Sequence, residues 1–187
     1  MPELKVVLEA LLLAAGEPLS ADRLLAAFPP EERPEPDALR GVLAELAAGY
    51  AGRGVELVEV ASGYRLQVPA AFAPWVVRLW EEKAASYSRA LLETLALIAY
   101  RQPITRGEIE AVRGVSVSAG IMKTLQERGW IREVGHREVP GRPALFATTR
   151  AFLDYFSLKS LSELPPLPPP RDGDAADAGP ERRALPS

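Results

Sequence analysis

Leu4, Leu8, Leu11, Leu12 and Ala15 recur at i, i+4, i+7, i+8 and i+11, the spacing that lines one face of an α-helix. Gly16 ends that helix. Pro18 and Ser20 introduce a second one carrying Leu24, Leu25 and Phe28, and residues 29–36 form a proline-rich acidic loop. Asp37 is expected to cap a third helix whose apolar face is Leu39, Leu43, Leu46 and Tyr50. Gly52 and Gly54 break the pattern. Two strands follow, 55–60 and 64–68, joined at Ser62-Gly63; in the second, Tyr64, Leu66 and Val68 alternate with Arg65 and Gln67. A helix over 74–85 is expected to close the unit.

The same grammar returns about 85 residues later. Leu12-Leu13-Ala14-Ala15-Gly16-Glu17-Pro18-Leu19-Ser20 is matched by Leu97-Ile98-Ala99-Tyr100-Arg101-Gln102-Pro103-Ile104-Thr105: an apolar helix, a polar break, then proline, an aliphatic residue and a hydroxyl residue. Around the second copy, Leu91, Leu95, Ile98 and Ala99 form the first helical face. Thr105 and Glu108 have capping-box spacing, so a second helix starts there. Val117, Ile121 and Leu125 are read as the face of a third, ended by Gly129. Strands are expected at 130–134 and 144–148 with a loop over 136–143, and Phe152 and Phe156 sit on a closing helix.

Helix-helix-helix-strand-strand, used twice, is the winged-helix plan. The expected fold is mainly α with small β (α+β): two tandem winged-helix (winged helix-turn-helix) domains, 1–85 and 86–167. Residues 168–187, rich in Pro, Asp and Ala, lack apolar periodicity and are expected to form a disordered tail.

Composition narrows the chemistry. Without cysteine there are no disulfides, thiolate metal sites or cysteine nucleophiles. The start has no basic segment ahead of a continuous apolar run, and no run approaches a membrane span, so a cytoplasmic protein is expected. The net charge of −3 is unevenly spread: residues 1–87 carry −5, residues 88–150 carry +4 and residues 151–187 carry −2. Only the middle block leans towards phosphate, and mildly.

Several blocks resemble one family. Residues 93–105, Glu93-Thr94-Leu95-Ala96-Leu97-Ile98-Ala99-Tyr100-Arg101-Gln102-Pro103-Ile104-Thr105, are followed by Arg113-Gly114-Val115-Ser116 and by Lys123-Thr124-Leu125-Gln126-Glu127-Arg128-Gly129. Then come Val139-Pro140-Gly141-Arg142-Pro143, Thr148-Thr149, Phe152-Leu153-Asp154-Tyr155-Phe156, and residues 158–166. Their order over roughly 89–167 resembles segregation and condensation protein B; residues 1–85 fit that family's first domain by pattern. Ser118-Ala119-Gly120 departs from it, where bulkier or acidic residues are expected early in the third helix.

The resemblance implies a non-enzymatic adaptor. It would form a homodimer mainly through the first domain, bind the central region of the kleisin subunit ScpA, and reach the SMC ATPase through that kleisin. The assembly compacts and separates sister chromosomes, so the protein would lie at the nucleoid in the cytoplasm, touching DNA only indirectly or weakly and no membrane. No catalytic residue, cofactor or metal is expected. The corner Tyr100, Arg101, Gln102, Pro103 and Ile104, with Arg142 on the second wing, is the candidate kleisin surface, against the alternative that Tyr100 packs in the core and Pro103 only sets a turn. Leu4, Leu8, Leu11, Trp75 and Trp80 are candidates for the dimer interface, although core packing is the competing role for the leucines.

The alternative is a winged-helix DNA-binding transcription regulator. Base readout needs Arg, Lys, Asn or Gln near the start of the third helix. The first copy offers Asp37, Ala38, Arg40 and Gly41 behind an acidic loop; the second offers Ser116, Ser118, Ala119 and Lys123. Arg137 and Arg142, with Arg101, Arg106 and Arg113 nearby, could at most touch phosphates. An enzyme has less to build on: one histidine, His136, no P-loop, no G-x-G-x-x-G, and no nucleophile-elbow spacing in residues 114–120.

Overall fold

A computed structural model describes residues 3–79 and 87–166. The expected helix 74–85 is thus seen only at its start, and Trp80 and the tail 168–187 lie outside the described residues.

The first half runs α1 (Leu4–Ala15), α2 (Ala21–Ala26), α3 (Pro36–Gly49), β1 (Glu56–Val60) and β2 (Gly63–Gln67). Leu8, Leu12, Leu19, Leu24, Leu39, Leu43, Leu46 and Tyr50 pack into one buried cluster. Glu9 accepts the Tyr50 hydroxyl at 2.5 Å; burial and that carboxylate push the phenol up to about 12. The third helix starts two residues earlier than expected. Pro36 occupies its first turn and Glu35 precedes it without a side-chain cap, so Asp37 lies inside the helix and pairs with Arg40. The preset φ of proline nucleates the turn where a capping side chain was anticipated. Phe28 lies beyond the end of α2 but still packs on the cluster.

β1 and β2 pair antiparallel, Glu56 against Gln67 through Val60 against Gly63. The corner after α1 joins this hairpin: Leu19 donates to the Tyr64 carbonyl at 2.9 Å and accepts from its amide at 2.8 Å. The hairpin comes so close that a Cβ on Gly63 would sit 2.1 Å from the Leu19 oxygen, and Gly63 has φ +133°. Both features require glycine at position 63. The expected in-out alternation of β2 is present, Tyr64 and Leu66 packing against the first cluster while Arg65 and Gln67 do not, although every residue of the strand is half-buried. Its polar side is covered as well: Arg65 donates to Gln67 and to Ser157 from the far end of the chain.

α4 (Ala73–Val76) and the turn Val77–Leu79 contribute no buried residue. The expected closing helix, where described, lies outside the core, with Trp75 and Leu79 65% and 78% exposed.

The second half contains α5 (Arg89–Arg101), β3 (Ile104–Thr105), α6 (Arg106–Arg113), α7 (Ala119–Glu127), β4 (Ile131–His136), β5 (Ala144–Thr148) and α8 (Arg150–Tyr155). β5 is central in an antiparallel sheet of order β3-β5-β4. A second buried cluster forms around Leu95, Ile98, Ile109, Val117, Leu125 and Trp130. The capping box at Thr105 and Glu108 is complete in both directions. α7 differs from expectation. Ser118 caps it through the Ile121 amide, so Val117 precedes the helix, and its buried residues are Met122 and Leu125 while Ile121 is half-buried. Val117 is fixed instead by its amide, which donates to Glu110 at 2.9 Å. That hydrogen bond, with Arg106, holds the Glu110 carboxyl below its usual range.

Polar contacts join the first hairpin to the end of the second half. Ser62 gives its amide and hydroxyl to the two oxygens of Asp154, at 3.0 and 2.7 Å. Ala61 donates to the Leu158 carbonyl at 3.0 Å, and Lys159 pairs with Glu59 at 2.6 Å.

Candidate partner-binding groove

α5 is amphipathic by the spacing of its apolar residues, and Ser88 caps it by accepting the Leu91 amide at 3.2 Å. Leu91, Thr94, Leu95, Ile98 and Ala99 turn inward. Thr94 satisfies its buried hydroxyl on the Ala90 carbonyl at 2.8 Å. The outer face carries Leu92, Ala96 and Tyr100 at i, i+4 and i+8, a stripe along the helix. Ala96 is the small member of the stripe, and the surface dips on both sides of it.

On one side Leu92, Phe152, Phe156, Leu158, Leu164 and Pro165 bound a depression of about 300 Å³. On the other, Leu97 and Val115 with the Glu93–Arg113 pair bound one of about 330 Å³. Both share Ala96 and Tyr100, so Tyr100 stands on the ridge between them. Both are predominantly apolar. Such concave apolar surface is what an anchoring side chain of a partner fills.

The charged rim is ordered. Arg113 donates to Glu93 at 3.0 Å and to Thr94 at 3.3 Å. Hydrogen bonds from Arg89 and Arg113 hold the Glu93 carboxyl below its usual range. The Arg113 Nε is buried with no hydrogen-bond partner among the described residues. Beyond the stripe, the Tyr100 hydroxyl donates to the carbonyl of Pro165, tying the segment after α8 to the ridge.

The sequence-expected corner divides. Tyr100 belongs to the groove, and Arg101 and Pro103 are exposed. Ile104 is a correction: it is 4% exposed and packs in the second cluster. Gln102 is another, because its amide is used inside the fold. Its oxygen accepts from the Thr148 amide at 2.7 Å and hydroxyl at 3.0 Å, and its nitrogen donates to Ala99 at 3.1 Å. Arg142 lies in the β4–β5 loop, pairs with Glu138 at 3.1 Å, and lines neither depression.

Of the dimer candidates, Leu8 is fully buried, and Leu4 and Leu11 pack against the first cluster. Trp75 is exposed beside Phe72, ring centroids 6.3 Å apart. Sequence reasoning missed Val6 and Leu13, which stand out on the opposite side of α1. The run Leu11-Leu12-Leu13 carried that signal, since one helix face cannot take three successive residues.

The DNA-reading surface is sparse. At the start of α7, Ala119 and Gly120 are exposed without polar side chains, and Lys123 is paired with Glu127 at 3.6 Å. Among the described residues a Cβ on Gly120 would meet only Ser118, at 3.8 Å, so no described backbone requires glycine there. His136 sits 3.2 Å from Glu133. Among the described residues there is no cluster of three His, Cys, Asp or Glu, and no helix is long and apolar enough to cross a membrane.

Comparison with known proteins gives a consistent result. The family described as segregation and condensation complex subunit ScpB matches residues 6–167. A segregation and condensation protein B homolog of Coxiella burnetii is 60% identical over 163 residues, 87% of this chain and 78% of its own. Segregation and condensation protein B of Bacillus subtilis is 46% identical over 167 residues, 88% of this chain and 82% of its own. Among solved structures, ScpB from Mycobacterium tuberculosis is 43% identical, covering 83% of this chain and 96% of that one, with a TM-score of 0.38. A dimer of an ScpB N-terminal domain complexed with an ScpA peptide is 29% identical over 41% of this chain and 93% of that one, with a TM-score of 0.37. Overlaps that low carry no argument about shape, and the relationship rests on sequence.

Proposed function

The chain belongs to the segregation and condensation complex subunit ScpB family, and from that premise we propose that it is a non-enzymatic, dimeric adaptor that grips the kleisin ScpA and, through it, joins the SMC ATPase complex in chromosome condensation and segregation. The reading takes residues 1–85 and 86–167 as two winged-helix units. The order of three helices and a hairpin in each half supports it.

The observation that carries the proposal is the pair of apolar depressions about Tyr100 on α5. Two adjoining apolar concavities fit successive anchors of one partner segment. Tyr100, Arg101 and Pro103 are the residues of the recognition corner that remain at the surface. Dimerisation is assigned to the first unit, whose exposed Val6, Leu13 and Trp75 offer apolar contact area. Two linked copies raise the effective concentration of the second contact.

Calorimetric titration with the central segment of the ScpA kleisin from the same genome tests this, with random duplex DNA in parallel. Tight kleisin binding is expected, weakened about tenfold or more by Tyr100→Ala, the size of an interface hot spot. Kleisin binding that survives Tyr100→Ala but fails in a Trp75→Ala variant would move the contact to the first unit. Steeply salt-dependent duplex binding without kleisin binding would make the chain a regulator instead.

A further inference from the structure

The polar contacts between the two halves converge on two short segments, the β1–β2 hairpin and residues 154–159. Asp154 accepts the amide and the hydroxyl of Ser62, and the Leu158 carbonyl accepts the Ala61 amide. Ser157 accepts from Arg65 at 3.1 Å, and Lys159 pairs with Glu59 at 2.6 Å. Among the described residues the two buried clusters share no side chain. Each core therefore holds its own half, while hydrogen bonds and a solvent-accessible ion pair hold the halves to each other. Polar bonds of this kind exchange for water at little net cost, so the joint can open with both cores intact.

The same segment builds part of the groove. Phe156 and Leu158 line the depression beside Leu92 on α5. The first hairpin grips the chain on both sides of Phe156, through Asp154 before it and the Leu158 carbonyl after it. Ser157, between those two lining residues, has φ +56°, a left-handed conformation that favours glycine. It closes α8, with the Leu158 amide returning to the Leu153 carbonyl at 2.8 Å. A serine here gives up glycine's freedom but supplies the hydroxyl that Arg65 of the first half holds.

We propose that the β1–β2 hairpin and residues 154–159 form a releasable clasp through which the first half sets the wall of the groove. Closed, it fixes Phe156 and Leu158 in place; open, it leaves both halves folded and that wall unsupported. Asp154, Ser157 and Lys159 are then positioning residues. The clasp and its hold on the wall rest on these contacts alone, whereas its effect on partner binding rests on the kleisin reading given above.

The chain has no cysteine, so dyes can be placed through Arg53→Cys and Gln126→Cys, exposed positions in opposite halves. Energy transfer between them is read at low protein and salt concentration in Glu59→Lys, in Lys159→Glu and in the two combined. Each reversal alone is expected to raise the open population about fivefold, and the combination, which restores an attractive pair, to bring it back. Rescue separates charge pairing from simple loss of folding. Transfer unmoved by both single reversals and by Asp154→Ala would overturn the clasp, and so would a double variant no closer to wild type than the singles. Transfer between singly labelled copies in a mixture would overturn it by assigning the contacts to a second copy. In Glu59→Lys, whose substitution lies in the other half, the amides of Phe156 and Leu92 are expected to shift; unmoved amides would overturn the hold on the wall. In a parallel titration the single reversals are expected to weaken kleisin binding and the double to recover it. If the amides shift while kleisin affinity stays constant, the clasp stands and the kleisin binds elsewhere.

Discussion

The corners at Pro18-Leu19-Ser20 and Pro103-Ile104-Thr105 use the same device to different depth. In each, the aliphatic residue is buried, Leu19 at 8% and Ile104 at 4% exposed, and the hydroxyl residue caps the next helix. In each, the corner pairs with the hairpin of its own half. The first makes a single bridge, Leu19 to Tyr64, whereas the second makes a two-residue strand against β5. At the third helical position the first has Arg23 and the second has Glu108, so only the second closes a reciprocal box. Arg23 turns instead to Glu17 at 2.8 Å. Glu108 also takes Arg137 from the β4–β5 loop at 2.5 Å. One repeated motif thus yields a corner held by close backbone approach and another that adds side-chain chemistry to its strand pairing.

The sharpest break of this contrast is Gly63→Ala. Its methyl would meet the Leu19 backbone at 2.1 Å, so the hairpin must leave the corner. A loss of about 4 kcal/mol is expected in urea unfolding, with hydrogen-exchange protection falling first at Leu19 and Tyr64. In the second corner, Ile104→Ala removes a core side chain and should cost about 3 kcal/mol by the same measurement. Thr105→Ala is expected to cost about 1.5 kcal/mol and Ser20→Ala about 1 kcal/mol, because the first cap has no reciprocal partner to lose. Equal losses at the two caps would mean the box adds nothing.

The smallest effect is a pH dependence belonging to the second corner alone. The Thr105 amide, then Arg137, hold the Glu108 carboxyl down at about 2, against an ordinary 4.5. A carboxyl lowered on folding contributes stability that is full above the ordinary value and is lost as pH falls from about 4.5 towards 2. Glu108→Gln keeps the box geometry but cannot titrate, so its unfolding curve should be flatter over that window. A wild-type slope unchanged by the substitution would place the acid sensitivity elsewhere.

Much of this was legible because it is local. A Thr-x-x-Glu box closes within one turn, and the leucine periodicities of α1 and α3 became the first core. The strand at Ile104 was missed because its partners, Phe146 and Leu145, lie some forty residues away and two residues carry no alternation. Asp37 was misplaced because Pro36 sets the helix start by its own φ. Tyr100 was legible as a candidate, but its companions were not. The groove takes residues from α5, from the loop after α6, from α8 and from the segment beyond it.

By itself the sequence determined the main helices, the capping box at Thr105, the duplicated order of elements and the resemblance to a family, since each depends on residues a few positions apart or on motifs met in order. The tertiary structure alone decided that Ile104 faces the core, that Gln102 clamps Thr148, and that Ala96 leaves two hollows around Tyr100. Those outcomes depend on which distant segments come to rest against α5, and a contact between segments fifty residues apart leaves no period in the chain to read.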